Sequence, residues 1–236
     1  MASSLTSFAQ QERVEDALSY LPCSTVIEYK KGELIYGHGS VCDNLYLVLS
    51  GCVKVTRLSD HGGQLLFELY RTDEFFGESG LLNLCNPSEQ AAAHQRSTLM
   101  CWKASDVEEI MRKQPRLAIA LLQFFGQRSL VLAQRMESLF FDPIDCRLAR
   151  SLLRFADRLG AEQVDGSVLM EPLTHELLAQ YVGTSREVVT CHMANLRRLG
   201  YVKYSRKAIE LDKPGLKTWL DRRSGMREST SQGEMA

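Results

Sequence analysis

The sequence predicts an α+β chain: an antiparallel β-barrel or sandwich in the amino-terminal half, one long helix, then two short helices and a hairpin. Three observations predict it. Between residues 23 and 102 short alternating runs are broken by glycine, between 115 and 141 apolar residues recur at heptad spacing, and 173–199 spell two helices around a glycine turn. At 236 residues and 44% hydrophobic content, the chain has enough apolar surface for about two domains.

The barrel strands are expected at 25–29, 33–36, 44–49, 52–56, 64–69 and 97–102. Turn signals separate them at Lys31-Gly32, Gly37 to Gly39, Ser50-Gly51 and Asp60 to Gly63. Such a barrel encloses a small ligand or is simply packed.

The long helix is expected at 116–141. Pro115 can open it, and Ala118, Leu122, Phe125, Ser129, Leu132, Met136 and Leu139 form a heptad seam suited to pairing two copies of the chain. A second apolar edge at Leu117, Leu121, Phe124 and Val131 could face the barrel at the same time. Asp142-Pro143 breaks the helix and is the natural hinge.

In the carboxyl-terminal part, Thr174 can cap a helix whose apolar face is Leu177, Leu178, Tyr181 and Val182, and Gly183 ends it. Thr184 and Glu187 have capping-box spacing for the second helix, with Val189, Met193 and Leu196 facing the first. Arg186 and Glu187 then lie in the first turn, where an arginine can fork onto guanine and a glutamate can accept from cytosine N4. The same spacing fits an ordinary helical hairpin with Arg186 in solvent. After Gly200, the runs 201–204 and 208–211 around Ser205-Arg206-Lys207 read as a small wing.

Charge is uneven. Residues 172–223 hold ten Lys/Arg against five Asp/Glu, whereas 1–142 hold thirteen against seventeen, although the whole chain carries only −1. Arg197, Arg198, Lys203, Arg206 and Lys207 are therefore candidates to neutralise a duplex backbone, with the Thr174 and Ser185 hydroxyls as further phosphate donors.

The order of motifs resembles the Crp/Fnr superfamily of transcription regulators: Gly32, Gly39, Asp43, Tyr46, Val48, Gly51 and Val53-Lys-Val55, then Phe75-Phe-Gly-Glu-Ser-Gly-Leu81, then Ser185-Arg-Glu187. The resemblance implies a cyclic-nucleotide-binding-type jelly roll over 1–115, a dimerisation helix over 116–142, a winged helix-turn-helix over 143–223 and a flexible tail over 224–236. It also implies a homodimer on a palindromic operator, with base reading by Arg186, Glu187, Thr190 and Cys191 and with RNA polymerase as a partner, which the 159–170 loop could face.

Two departures from the family pattern matter. The pocket implied by the resemblance comprises Gly77, Glu78, Ser88, Arg128 and Leu132, but Pro87-Ser88 stands where cyclic-AMP-binding members have Arg-Ser, and Leu132-Ala133 where they have Thr-Ser. Proline supplies neither charge nor N–H to a phosphate, so control by cyclic AMP is not expected, and Glu78 could simply bond within its own loop. The second departure is Cys191, which replaces a second base-reading arginine. It predicts an operator half-site related to TGTGA but relaxed at its second guanine, unless Thr190 or His192 compensates.

Other classes find less support. No P-loop, GxSxG, HExxH or dinucleotide fingerprint occurs, so an enzyme is not expected. The seven cysteines are scattered without CxxC, which fits a reducing, cytoplasmic setting and no metal site; no membrane span or secretion signal is read. No cofactor is expected. Haem would need donors among His38, His61, His94, Cys42 and Cys85, and an apolar or aromatic effector, a cyclic dinucleotide, thiol oxidation or no signal remain open. The competing reading is a ligand- or redox-sensing protein whose helix-turn-helix mainly makes protein contacts.

Overall fold

The computed structural model describes residues 15–37, 42–60, 62–84 and 86–233, without the side chains of 224–233; His38, His61 and Cys85 lie outside the described residues. The amino-terminal part contains β1 (Thr25–Tyr29), β2 (Leu34–Tyr36), β3 (Asn44–Ser50), β4 (Cys52–Leu58) and β5 (Gln64–Arg71). After these come β6 (Phe75–Phe76), α1 (Glu78–Leu81), β7 (Glu89–Ala93), β8 (Ser97–Lys103) and α2 (Ala104–Lys113). The strands form two four-stranded sheets of order β1-β8-β3-β6 and β2-β7-β4-β5.

All six expected strands form, β1 as read and the others with one end shifted by one or two residues. The two unread strands, β6 and β7, have physical reasons to be silent. Strand β6 is two residues long, and β7 reads Glu-Gln-Ala-Ala-Ala, without the β-branched and aromatic residues that mark a strand, so it is held by pairing with β2. Leu45, Leu47, Phe75, Trp102 and Val107 form the core beneath the first sheet.

Helix α3 (Pro115–Phe141) continues that core with Leu117, Ala120 and Leu121, and Phe124 meets Phe75 edge-on at 5.7 Å. The opposite side stays open. Leu122 is 73% exposed and Met136 59%; Leu139 and Ser129 are also exposed, while Ala118, Phe125 and Leu132 are half-buried. By length and composition alone α3 could cross a membrane. Leu117 and Leu121 of this helix are buried, and Gln123, Gln127, Arg128, Gln134 and Arg135 interrupt its apolar run.

The break falls where Asp142-Pro143 was read, with Pro143 at the N-cap of α4 (Ile144–Leu159). Then follow β9 (Gly160–Glu162), β10 (Val168–Met170), α5 (His175–Val182), α6 (Arg186–Arg198), β11 (Val202–Tyr204), β12 (Ile209–Leu211) and α7 (Lys213–Gly233). The last four strands make one sheet, β11-β12-β10-β9. Segment 159–170 is therefore not a loop but a hairpin closed by Gln163 N–H bonded to Ser167 C=O at 2.8 Å. The backbone of 224–233 continues α7, where a tail was expected; 234–236 lie outside the described residues.

Two compact units result, one from the described residues up to 53 with 70–135, the other from 54–69 with the chain from 136 onward. In the second unit the hairpin of β4 and β5 is anchored by charge. The Glu68 carboxylate, 4% exposed, pairs with Arg154 and Arg158, each at 2.5 Å, and Arg158 also donates to the Leu69 carbonyl at 2.7 Å. Gln180 Nε2 donates to Gln64 Oε1 at 3.1 Å.

Candidate nucleic-acid interface

The first helix of the pair starts as read. Thr174 Oγ1 accepts from Leu177 N–H at 3.1 Å, Leu177, Leu178, Tyr181 and Val182 are buried, and Gly183 closes the helix at φ 74°. That left-handed cap is open to glycine at little cost, and a Cβ there would come within 3.4 Å of Leu139.

The second helix starts one residue later than read. Thr184 N–H bonds back to the Ala179 carbonyl at 3.1 Å, which makes Thr184 part of the end of α5. The extended N-cap of α6 is Ser185, whose hydroxyl accepts from Val188 N–H at 3.4 Å. The Thr184–Glu187 capping box is thereby corrected. Glu187 still lies in the first turn, where its own N–H and the Ser185 hydroxyl hold its carboxyl below the ordinary carboxylate value.

Helix α6 is two-faced. Val189, Met193 and Leu196 are buried against α5, and Arg186, Glu187, Thr190 and Cys191 are all exposed on the opposite side. Four side chains of different chemistry thus share one solvent-facing stripe, with charge at its amino end. At its carboxyl end Arg197 lies over the Tyr204 ring at 5.5 Å, and Arg198 donates to Asn195 Oδ1 at 2.9 Å.

The wing adds Lys203, paired with Glu210 at 2.7 Å, and the exposed Arg206 and Lys207 in its turn. That pairing raises the lysine pKa and shares its charge, so Lys203 offers less to a phosphate than the sequence suggests. Thr174 and Ser185 spend their oxygens on capping, which leaves each O–H as the group able to donate.

In the first unit the residues expected to line a pocket are only partly united. Gly77, at φ 87°, has no room for a Cβ, which would lie 2.5 Å from the Asn44 carbonyl. Arg128 pairs with Glu78 at 3.0 Å and lies over the Tyr70 ring at 4.5 Å. Glu78 therefore engages the long helix rather than merely its own loop. Leu132 sits half-buried one turn further along α3.

Ser88 turns back to Asn86, donating at 2.6 Å, and does not join them. Instead the neighbouring Glu89 accepts from Tyr36 OH at 3.1 Å and lies 3.5 Å from Ser79 Oγ. Tyr36, Tyr46, Tyr70 and Phe76 form one aromatic cluster, with Tyr46 and Phe76 centroids 4.9 Å apart. Burial and the Glu89 charge push the Tyr36 hydroxyl far above its ordinary value, and burial pushes Tyr46 to about 12, so both remain neutral donors. Sequence reasoning missed Glu89 and Tyr36. Alternation marked Tyr36 only as a strand residue, and nothing in the chain brings position 36 beside 89 before the sheet forms.

Of the remaining haem donors, Cys42 is buried near the Gly77 and Asn44 carbonyls, and His94 donates its backbone N–H to Cys52. Among the described residues no group of three or more His, Cys, Asp or Glu is placed to hold a metal ion.

Comparison with known proteins finds two family models along the chain. Residues 26–114 match the model of the cyclic nucleotide-binding domain, and 146–219 that of the Crp-like helix-turn-helix domain. The chain is 30% identical over 203 residues to the transcriptional regulator SdrP of Thermus thermophilus, covering 84% of this chain and 95% of that one. It is 25% identical over 186 residues to a CRP-like cAMP-activated global transcriptional regulator of Mycobacterium tuberculosis, covering 78% and 82% of the two chains. Among solved structures, a Crp/Fnr-family regulator from Thermus thermophilus superposes with a TM-score of 0.68 at 29% identity, covering 84% of this chain and 98% of that one. FixK2 of Bradyrhizobium japonicum superposes with 0.71 at 22% identity, covering 83% and 96%.

Proposed function

Since this chain belongs to the Crp/Fnr superfamily of transcription regulators, we propose that it works as a homodimer that reads a palindromic operator without cyclic AMP. The observation that carries the reading is the exposed stripe Arg186, Glu187, Thr190 and Cys191 on α6, backed by a buried face and flanked by Arg197, Arg198, Arg206 and Lys207. Arginine and glutamate at that end of a helix suit base edges in a major groove, and the flanking cations suit phosphates. Thr174 and Ser185 add neutral donors and Lys203 a shared charge. Two copies joined along the exposed side of α3 would set two such helices on successive half-sites about one turn apart.

Independence of cyclic AMP is supported by the barrel residues. A cyclic phosphate needs a counter-charge, and the segment that would supply it holds Pro87 and, two residues on, Glu89, a carboxylate bonded to Tyr36. The Arg128 guanidinium already serves Glu78. The tip of the β9–β10 hairpin, with Val164 fully exposed, is the surface we assign to RNA polymerase.

The test is titration of a palindromic duplex with purified protein, followed by fluorescence anisotropy. Binding should occur without ligand, fall linearly on a log–log plot against salt, and stay unchanged on adding cyclic AMP. A requirement for cyclic AMP would overturn the effector assignment. Equal affinity for palindromic and random duplexes would favour a protein-contacting role for the helix pair.

A further inference from the structure

His175 was not singled out by the sequence, yet it ties α5 to the exposed stripe of α6. Its Nδ1 lies 2.9 Å from Thr190 Oγ1. The direction of that bond follows from a second one. The Thr190 hydroxyl donates to the Arg186 carbonyl one turn earlier, at 2.8 Å, and a hydroxyl has a single proton. The Thr190 oxygen must therefore accept from His175, so Nδ1 carries a hydrogen. The imidazole is steadied on its other side by Tyr204 of the wing, edge-to-face at 5.6 Å, and Tyr204 in turn lies beneath Arg197.

Three elements thus cooperate to fix one χ1 angle. The Cβ of threonine carries only a hydroxyl and a methyl group. With its one proton given to the backbone of its own helix and its oxygen held by α5, Thr190 has no hydrogen left to donate to a base edge, and its methyl is the group it turns to a base. A threonine methyl packs against the C5 methyl of thymine, whereas a free hydroxyl would bond to several bases alike.

We propose that His175 is a specificity-determining positioning residue: by holding the Thr190 hydroxyl it makes Thr190 a reader of the thymine methyl group. The inference rests on α6 being the recognition helix and goes beyond it by naming a base feature and the residue that selects it.

The experiment uses the full-length protein and a palindromic duplex in which each thymine of the half-site is replaced in turn, symmetrically, by deoxyuridine, which removes one methyl per half-site. At one position the wild-type affinity should fall about 4-fold per methyl contact. Thr190→Val, which keeps a methyl, should retain the penalty, and Thr190→Ser should lose it.

His175→Ala should bind with the penalty reduced to below about 1.5-fold, and His175→Asn, which keeps a donor near the place of Nδ1, should restore it. Circular dichroism checks that each variant is folded. A deoxyuridine penalty unchanged in His175→Ala, or absent at every position in the wild type, overturns the role of His175. Failure of the wild type to prefer the palindrome over random duplex, or equal losses on both for Arg186→Ala, overturns instead the reading of α6 on which the proposal stands.

Discussion

At the scale of single residues, the stripe on α6 divides into groups with separable consequences. Arg186→Ala should cost about 1–3 kcal/mol on the operator and little on random duplex, measured as two dissociation constants at one salt concentration. Cys191 cannot make a bidentate guanine contact, so selection from random duplexes should return half-sites tolerant at the second guanine, and Cys191→Arg should make that guanine required.

His175 carries a pH signature in the free protein. Burial and the Arg186 charge lower its pKa below the ordinary 6.5, so the folded form holds fewer protons than the unfolded one in the window just below that value. Stability should fall as pH drops from about 6.5 toward the folded pKa and then level off, and His175→Asn should flatten that slope in urea midpoints measured between pH 5 and 8. Caps were legible at this scale because Thr174 and Gly183 act on groups three or four positions away. The His175–Thr190 bond was not, since it spans the helix pair. The one misread cap, Thr184, was already spent on the end of α5.

At the scale of elements, α3 contrasts an inner and an outer edge. Leu117→Ala, in the barrel core, should destabilise by about 2–5 kcal/mol. Leu122→Lys, on the exposed edge, should leave the melting temperature of the separated protomer nearly unchanged while shifting sedimentation from dimer to monomer. An unchanged dimer would move the pairing surface elsewhere on the chain. The sequence revealed both edges because a helix repeats its faces every three or four residues, and it revealed the longer strands through alternation. It was silent on β7, β9 and β10: Glu-Gln-Ala-Ala-Ala and Gly-Ala-Glu lack the β-branched and aromatic residues that mark a strand, Val-Leu-Met does not alternate, and the partner strand supplies the order. The candidate site divided likewise. Its α6 stripe was visible as a helical period, but the barrel group was only half visible, since Glu89 and Tyr36 meet across strands 53 residues apart.

At the scale of the whole molecule, the Glu68 cluster is the feature that sequence could not foretell, for its partners lie 86 and 90 residues away. Removing the carboxylate leaves two guanidinium groups facing each other in a half-buried site. Glu68→Ala should therefore destabilise the second unit by about 3–5 kcal/mol, whereas replacing one arginine, as in Arg158→Met, should cost less. Chemical denaturation of the three proteins gives the order directly.

The same cluster bears on whether the molecule can be cut. The chain passes from one unit to the other at 53/54, at 69/70 and at 135/136, so no single scission separates them. A fragment beginning at Ile144 would contain every residue of the helix pair and the wing, yet it would lack the Gln64 and Glu68 side chains that α5 and α4 hold. The reading head is thus not a cassette that can be grafted by its carboxyl-terminal sequence alone. A transplant needs the β4–β5 hairpin carried with it, either by circular rearrangement of the chain or as a second polypeptide supplied in trans.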